Sequence, residues 1–399
     1  MLLNIFITSL NSLNIVELYL VYFFVYFFIV SHLFIRYKYY RKSNYIYGLD
    51  CVYYKFYEYY DFILVCKLNN RVTKSQLIKN TESILDDKNT IIRYTLGKNR
   101  EKILDTRSTQ KVISEKFLDI DYNNIINSST LSWLMYYDEG KEILYTRANH
   151  CILSGMNAVY FVCNAIGNAK KINLPKKRII PVYSELSCLY SIYKIIQLKD
   201  GYYTNTGYKK CTTLKPIVIR YKFEITDEKE YSVTSKLNAT ILNWFFTLSN
   251  REYLNIANVL AYSDEKFTQF NNLSVILTKC KYRNSYHELM HDFQNDATNY
   301  YLMAHGIGIL ANIFNRFEYF NFFTKKTDIF LSSLPLLSTS IEKVEKFILH
   351  NSRWPIYILN FKNKNFMEGF IHIKTDLIDI DKLMSIMKKT CMECNIIDY

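Results

Sequence analysis

Apolar residues are laid down in two regimes along this chain. From Ile15 to Ile35 nearly every position is apolar, with Glu17 near the start and His32 near the end, so a helix there would have no polar face. Beyond residue 60 the apolar positions come in short blocks with changing period. Asp61-Phe-Ile-Leu-Val-Cys-Lys-Leu68 predicts a strand, residues 73–85 an amphipathic helix with a Thr/Ser start, and residues 91–96 a second strand. Leu131-Ser-Trp-Leu-Met-Tyr-Tyr137, the turn Asp138-Glu139-Gly140 and Ile143-Leu-Tyr-Thr-Arg147 predict a hairpin, and residues 156–166 have helical spacing. The pattern loosens between residues 168 and 215, apart from an amphipathic stretch at 184–196 suited to a membrane surface or to covering a tunnel. It tightens again into a strand at 216–225 and a helix around Ser235 to Phe246. A strand at 369–376 and a helix at 380–392 close the chain. Strands interleaved with helices predict a mixed α/β fold.

Composition narrows the function classes. The chain has 399 residues, enough for two subdomains with substantial cores, and its 49% hydrophobic content excludes a disordered chain. Only 10 Gly and 5 Pro occur, against usual usage of about 7% and about 5%, alongside 36 Tyr and 26 Phe. That profile matches drift toward AT-rich codons, so the +13 net charge is spread along the chain. No dense basic stripe with interleaved aromatics is present, which argues against nucleic acid as a partner. A basic surface still favours coenzyme A phosphates and anionic headgroups. The nine cysteines are scattered, as in a protein with reduced thiols facing the cytosol, and the lone Cys391-Met-Glu-Cys394 has no second pair with which to build a zinc ribbon.

About 20 apolar residues span a bilayer core, so residues 15–35 are read as a single transmembrane helix. Arg36 is the first positive charge in the chain, and Lys38, Arg41 and Lys42 follow among tyrosines. Positive flanks stay cytoplasmic, which predicts a single-pass membrane protein, placed in the endoplasmic reticulum, with its body in the cytosol.

The chemistry concentrates at Arg147-Ala148-Asn149-His150-Cys151-Ile152-Leu153-Ser154-Gly155. A histidine held between a strand end and a helix start suits a general base, because imidazole titrates near neutral pH and rigid elements aim it. Ser154 is placed as a turn or helix cap. His150, Ser154 and Gly155 resemble the His-His-x-x-x-Asp-Gly signature of the coenzyme A-dependent acyltransferase superfamily, which includes chloramphenicol acetyltransferase, condensation domains, alcohol acetyltransferases and wax ester synthase/diacylglycerol acyltransferases. The resemblance implies that His150 is the catalytic histidine and Gly155 the motif glycine. Asn149 stands for the first histidine and Ser154 for the site-ordering aspartate, which a serine replaces without its charge. The helix around Asn238-Ala239 is similar to the family's Asn-Asp-Val helix, with Asn238 matched and Ala239 departing.

The resemblance implies two chloramphenicol acetyltransferase-like subdomains around a central channel. Residues 1–45 are then the anchor and basic flank, 46–168 the first subdomain, 169–215 a crossover linker and 216–399 the second subdomain. It further implies acyl-CoA as co-substrate, no tightly bound cofactor or metal, and, with the anchor, a lipophilic alcohol or diacylglycerol as acceptor. Two other readings stay open. One is a catalytically degenerate relative that binds acyl-CoA or lipid. The other is a zinc hydrolase using His287, Glu288 and His291, which form a literal HExxH. The spacing to His305 does not fit the extended zinc pattern, and residues 284–301 read as a solvated helix.

Overall fold

The computed structural model describes residues 15–35, 61–69, 72–86, 94–96, 102–104, 133–150, 155–167, 198–204, 216–225, 233–261, 273–283, 287–288, 324–335, 340–349, 354–363 and 366–397. Helix α1 (Ile15–Ile35) has 21 residues, about 30 Å at the α-helical rise, and large side chains such as Tyr19, Phe23 and Tyr26 are exposed along it. Among the described residues no helix is long and apolar enough to cross a membrane; the side chains of Leu18 and of residues 32–35 lie outside the description.

The first half begins with β1 (Asp61–Leu68) and α2 (Lys74–Asp86). The Thr73 hydroxyl accepts from the Gln76 N–H at 3.2 Å, satisfying one of the free donors of the first turn of α2. Then β2 (Tyr94–Leu96) pairs only with β3 (Lys102–Leu104), as a two-stranded ribbon separate from β1. The expected strand at 91–96 therefore does not extend the sheet that holds β1, and residues 91–93 lie outside the description. The hairpin β4 (Trp133–Asp138) and β5 (Ile143–Asn149) turns through residues 139–142, with Glu142 at φ 58° and Asp138 Oδ1 accepting from the Lys141 N–H. Strand β5 runs two residues further than expected, to Asn149, and α3 (Gly155–Ile166) follows.

The second half comprises β6 (Ile217–Glu224), α4 (Val233–Ser249), β7 (Tyr253–Ala261), β8 (Leu273–Lys281), β9 (Ile329–Pro335), β10 (Ile341–Leu349), β11 (Ile356–Asn363), β12 (Phe366–Ile373), α5 (Ile380–Met387) and β13 (Glu393–Ile397). The last helix stops short of the expected residue 392, because the Lys388, Thr390 and Cys391 N–H groups turn back onto the final carbonyls and release the chain into β13. A seven-stranded sheet has the order β13-β6-β12-β11-β9-β7-β8, and a four-stranded sheet the order β10-β1-β5-β4. Strand β10 thus leaves its own half and pairs with β1, Phe62 opposite Leu349. A division at residue 216 assigns that strand to the second half by sequence, while its hydrogen bonds belong to the first sheet.

Alternation along the strands of the large sheet makes two cores. Phe330, Tyr357, Phe361 and Phe370 face the small sheet and pack with Phe62, Trp133, Met135, Phe347 and the buried face of α3. Ile219, Tyr221, Ile256, Leu331, Ile358 and Ile371 face the other way, against Leu237, Ile241 and Phe245 of α4 and Leu383 and Met387 of α5. Within the expected linker, residues 198–204 dock firmly. The Asp328 carboxylate accepts from the Tyr203 N–H at 3.0 Å and the Asn255 N–H at 2.8 Å, while Lys326 holds the Leu198 carbonyl and Asp200. Burial pushes the Asp328 carboxyl up to about 6, against the lowering effect of those backbone donors. The stretch 184–196 lies outside the described residues.

Candidate active site

His150 sits directly after the last residue of β5, half-buried, with its Nδ1 atom buried. The strand pairing sets that position. Asn149 closes β5 opposite Asp61, and Ala148, on the same face as His150, lies between Phe62 and Trp133. The imidazole meets the Phe62 ring edge-on at 5.9 Å. From Phe62 a buried aromatic row leads inward: Phe347 stacks at 6.0 Å, Tyr357 on Phe347 at 6.4 Å, Phe330 on Tyr357 at 5.4 Å and Trp354 on Phe330 at 4.4 Å. These rings come from both sheets, so the wall beside His150 is rigid and dry. An imidazole at the rim of such a wall has a fixed direction, as a general base requires.

A second histidine flanks the same row. His372, on β12, contacts Phe347 edge-on at 6.1 Å and Tyr357 at 6.0 Å. Burial, with Lys374 and Lys346 as smaller causes, lowers its pKa to about 3, against a hydrogen bond to the Phe347 backbone. It stays uncharged at neutral pH and fastens the large sheet to β10. Sequence reading placed residues 369–376 on a strand without singling out His372. Its alternation with Phe370 was the available signal for a core-facing ring. In the same core Cys66 and Cys163 are buried, and burial pushes the Cys66 thiol up, which removes thiolate chemistry there.

The other expected site residues are scattered. Gly155 is the first residue of α3, and a Cβ there would lie 3.3 Å from Leu334 Cδ1. The Asn149 side chain and all of Ser154 lie outside the described residues. Asn238 is buried on α4, in the core on the opposite face of the large sheet from His150, and its Oδ1 has no hydrogen-bond partner among the described residues. The fold therefore does not bring Asn238 and His150 together. His287 and Glu288 are exposed, while His291 and His305 are outside the description; among the described residues no group of three or more metal-ligating side chains gathers. At the CxxC, burial and the neighbouring Cys394 push the Cys391 thiol up to about 12, and Cys394 Sγ rests 3.4 Å from Met384 Sδ. Both sulfurs behave as packing groups.

No family model and no curated protein sequence matches the chain. Solved structures do. A double mutant of the starter condensation domain of the rhizomide synthetase RzmA, in complex with C8-CoA and Leu-SNAC, is 7% identical with a TM-score of 0.61, covering 87% of this chain and 93% of that one. The condensation domain that mediates chain release from the enacyloxin polyketide synthase is 10% identical, with a TM-score of 0.56 over 87% of this chain and 82% of that one. The EpoB cyclization-docking bidomain from Sorangium cellulosum is 7% identical, with a TM-score of 0.58 over 86% and 82%. At these identities the likeness establishes the fold: two mixed α/β halves arranged as in condensation domains.

Proposed function

We propose that this chain is a membrane-anchored O-acyltransferase that moves an acyl group from acyl-CoA to a lipophilic alcohol or diacylglycerol, with His150 as general base. The single observation that carries the reading is the half-buried imidazole held between the end of β5 and the start of α3, on the fold of condensation domains. The imidazole takes the proton of the acceptor hydroxyl as its oxygen attacks the thioester carbonyl. The tetrahedral intermediate collapses, the C–S bond breaks, and the imidazolium returns the proton to the coenzyme A thiolate. That RzmA domain was captured with C8-CoA, which supports a coenzyme A thioester as donor here too. No tightly bound cofactor enters this scheme.

The lipophilic acceptor follows from α1. A 21-residue helix with exposed apolar side chains and one acidic residue, Glu17, followed by Arg36, Lys38, Arg41 and Lys42, is suited to hold the body at the cytosolic face of a membrane, which we assign to the endoplasmic reticulum. The departures Asn149 and Ser154 favour a second reading, a relative that binds acyl-CoA or lipid without turnover.

One assay separates the two. Membranes containing the wild-type chain or His150→Ala are supplied with labelled acyl-CoA and a panel of alcohols and diacylglycerol. A His150-dependent ester establishes the transferase and names its acceptor. Saturable acyl-CoA binding with no ester from either protein leaves the binding-only reading.

A further inference from the structure

Ala148, with the smallest side chain on the core face of β5, lies directly inward of His150. Trp133 of β4 and Phe62 of β1 flank it across the sheet, and Thr146 and His150 flank it along the strand. A notch over the Ala148 methyl group is therefore bordered by an indole, a phenyl ring, a hydroxyl and the imidazole. Trp133 Nε1 and Thr146 Oγ1 are buried, on side chains 2% and 1% exposed, and neither has a hydrogen-bond partner among the described residues. Buried polar groups are nearly always paired, so two orphans around one alanine mark a binding place. Their surroundings are apolar: Met135 opposes Thr146, and the Phe161 ring lies 5.7 Å from that of Trp133. Trp133 and His150 are diagonal neighbours across the strand pair, roughly 7–8 Å apart, a span that an indole bridges. An indole N–H only donates, and a threonine hydroxyl donates as readily as it accepts. Such a pair calls for an acceptor oxygen carried on an apolar body.

We infer that Trp133 Nε1 and Thr146 Oγ1 donate to the carbonyl oxygen of an acyl thioester seated over Ala148, and hold the charge that this oxygen gains during transfer. The inference rests on the acyl-CoA reading of the His150 site. The carbonyl carbon then lies between the imidazole, which takes the proton of the attacking hydroxyl, and the two donors, which face the oxygen. As the hydroxyl oxygen bonds to that carbon, the C=O electron pair moves onto the carbonyl oxygen. As the C–S bond breaks, the pair returns, and the proton on His150 goes to the coenzyme A sulfur. Trp133 and Thr146 give up no proton. Burial strengthens both contacts, because no water competes for them.

The test uses the full chain in lipid nanodiscs and octanoyl-CoA labelled with carbon-13 at its carbonyl. His150→Ala holds the thioester without turning it over, and is compared with its combinations with Trp133→Phe and Thr146→Val, which keep an apolar side chain and delete the donor. The infrared band of the bound carbonyl should lie at lower frequency in His150→Ala alone than in either double variant, because each lost donor stiffens the C=O bond. With His150 in place, Trp133→Phe should slow ester formation at saturating octanoyl-CoA by about 10²–10³-fold, the loss for one oxyanion donor, with KM little changed. The melting temperature of Trp133→Phe and of Thr146→Val should hold or rise, since each removes a buried group that has no partner. A band that stays in place while octanoyl-CoA binds would overturn the inference and leave the His150 reading standing. Band shifts without ester would keep the two donors and favour the binding-only relative. Absence of saturable octanoyl-CoA binding to every protein would remove the acyl-CoA reading, and the inference with it.

Discussion

The two halves are built on the same four-strand plan, β10-β1-β5-β4 in one and β13-β6-β12-β11 in the other, with β5 and β12 in equivalent places. The registers align too. Asp61 opposes Asn149 at the end of β5, and Ile217 opposes Ile373 at the end of β12, so His150 corresponds to Lys374 and Ala148 to His372. What differs is the cover. In the second half the strand end is sealed: Lys374 donates its N–H to the Pro355 carbonyl, and His372 and Lys374 are 3% and 7% exposed. In the first half the imidazole one residue past the strand stays half-buried at the rim of the aromatic row. The same topology thus makes two strand ends, one sealed and one that leaves its imidazole half-open to solvent.

The sharpest way to break this comparison is to truncate each histidine in turn. His150→Ala should lower ester formation by about 10²–10⁴-fold with an unchanged melting temperature, the usual range for losing a general base. His372→Ala should keep turnover per folded molecule and lose about 1–3 kcal/mol of stability with the Phe347 hydrogen bond. Equal activity losses from both variants would mean that the sealed end also takes part in the chemistry.

Next in size is overpacking of the second half. A Cβ on Gly369 would sit 2.5 Å from the Tyr221 ring and hydroxyl and 2.7 Å from Asn360 Oδ1, against a hydroxyl already hydrogen-bonded to Asn360. The corresponding residue on β5 is Tyr145, opposite Val65, so the first half fills the position that the second leaves to the Tyr221 of its neighbouring strand. Gly369→Ala should cost about 1–3 kcal/mol or more, measured by chemical denaturation.

Acid stability sharpens the contrast further, because two buried groups act with opposite sign. The pKa of His372 is lowered on folding, so its contribution is fully present above about 6.5 and is lost as pH falls toward 3, with a slope of up to about 1.4 kcal/mol per pH unit. The Asp328 carboxyl is raised to about 6, so the folded chain takes up that proton first and stability gains as pH falls from about 6 toward the unfolded value near 4. The two terms largely offset each other between about pH 6 and 4, so relative to the wild type stability should rise toward acid in His372→Gln and fall more steeply in Asp328→Asn. Parallel profiles for the two variants would refute the assignment of either group.

Local features were legible in the sequence where a residue answers to its neighbours. The apolar run of β1, the Thr73 cap, the hairpin ending at His150 and the helix after Gly155 all follow from period and turn chemistry. Partners distant in sequence were not. Nothing in Ile341–Leu349 says that it pairs with β1, some 280 residues earlier, because strand pairing is specified by a complementary face that any alternating strand offers. β13, directly after the helix expected through residue 392, was not foreseen, since its five residues carry too little alternation to mark a strand. At the site, His150 was visible because it ends a patterned strand. The aromatic row beside it is assembled from β1, β9, β10, β11 and Trp354, and Asn238, matched by motif, turned inward on the far face of the large sheet.

The smallest effect concerns the motif glycine. Gly155 has no backbone conformation that demands glycine, unlike Gly167 at φ 87°, and its one close neighbour among the described residues is a flexible Leu334 methyl at 3.3 Å. Alanine there requires Leu334 to give a few tenths of an ångström while the helix gains up to about 1 kcal/mol of propensity. The two terms nearly cancel, so Gly155→Ala should shift stability by less than about 1 kcal/mol. If glycine matters at this position, it is through the approach of a substrate to the start of α3. Gly155→Ala would then leave the denaturation curve in place and raise the KM for acyl-CoA or acceptor, whereas a loss of both stability and kcat would return Gly155 to a packing role.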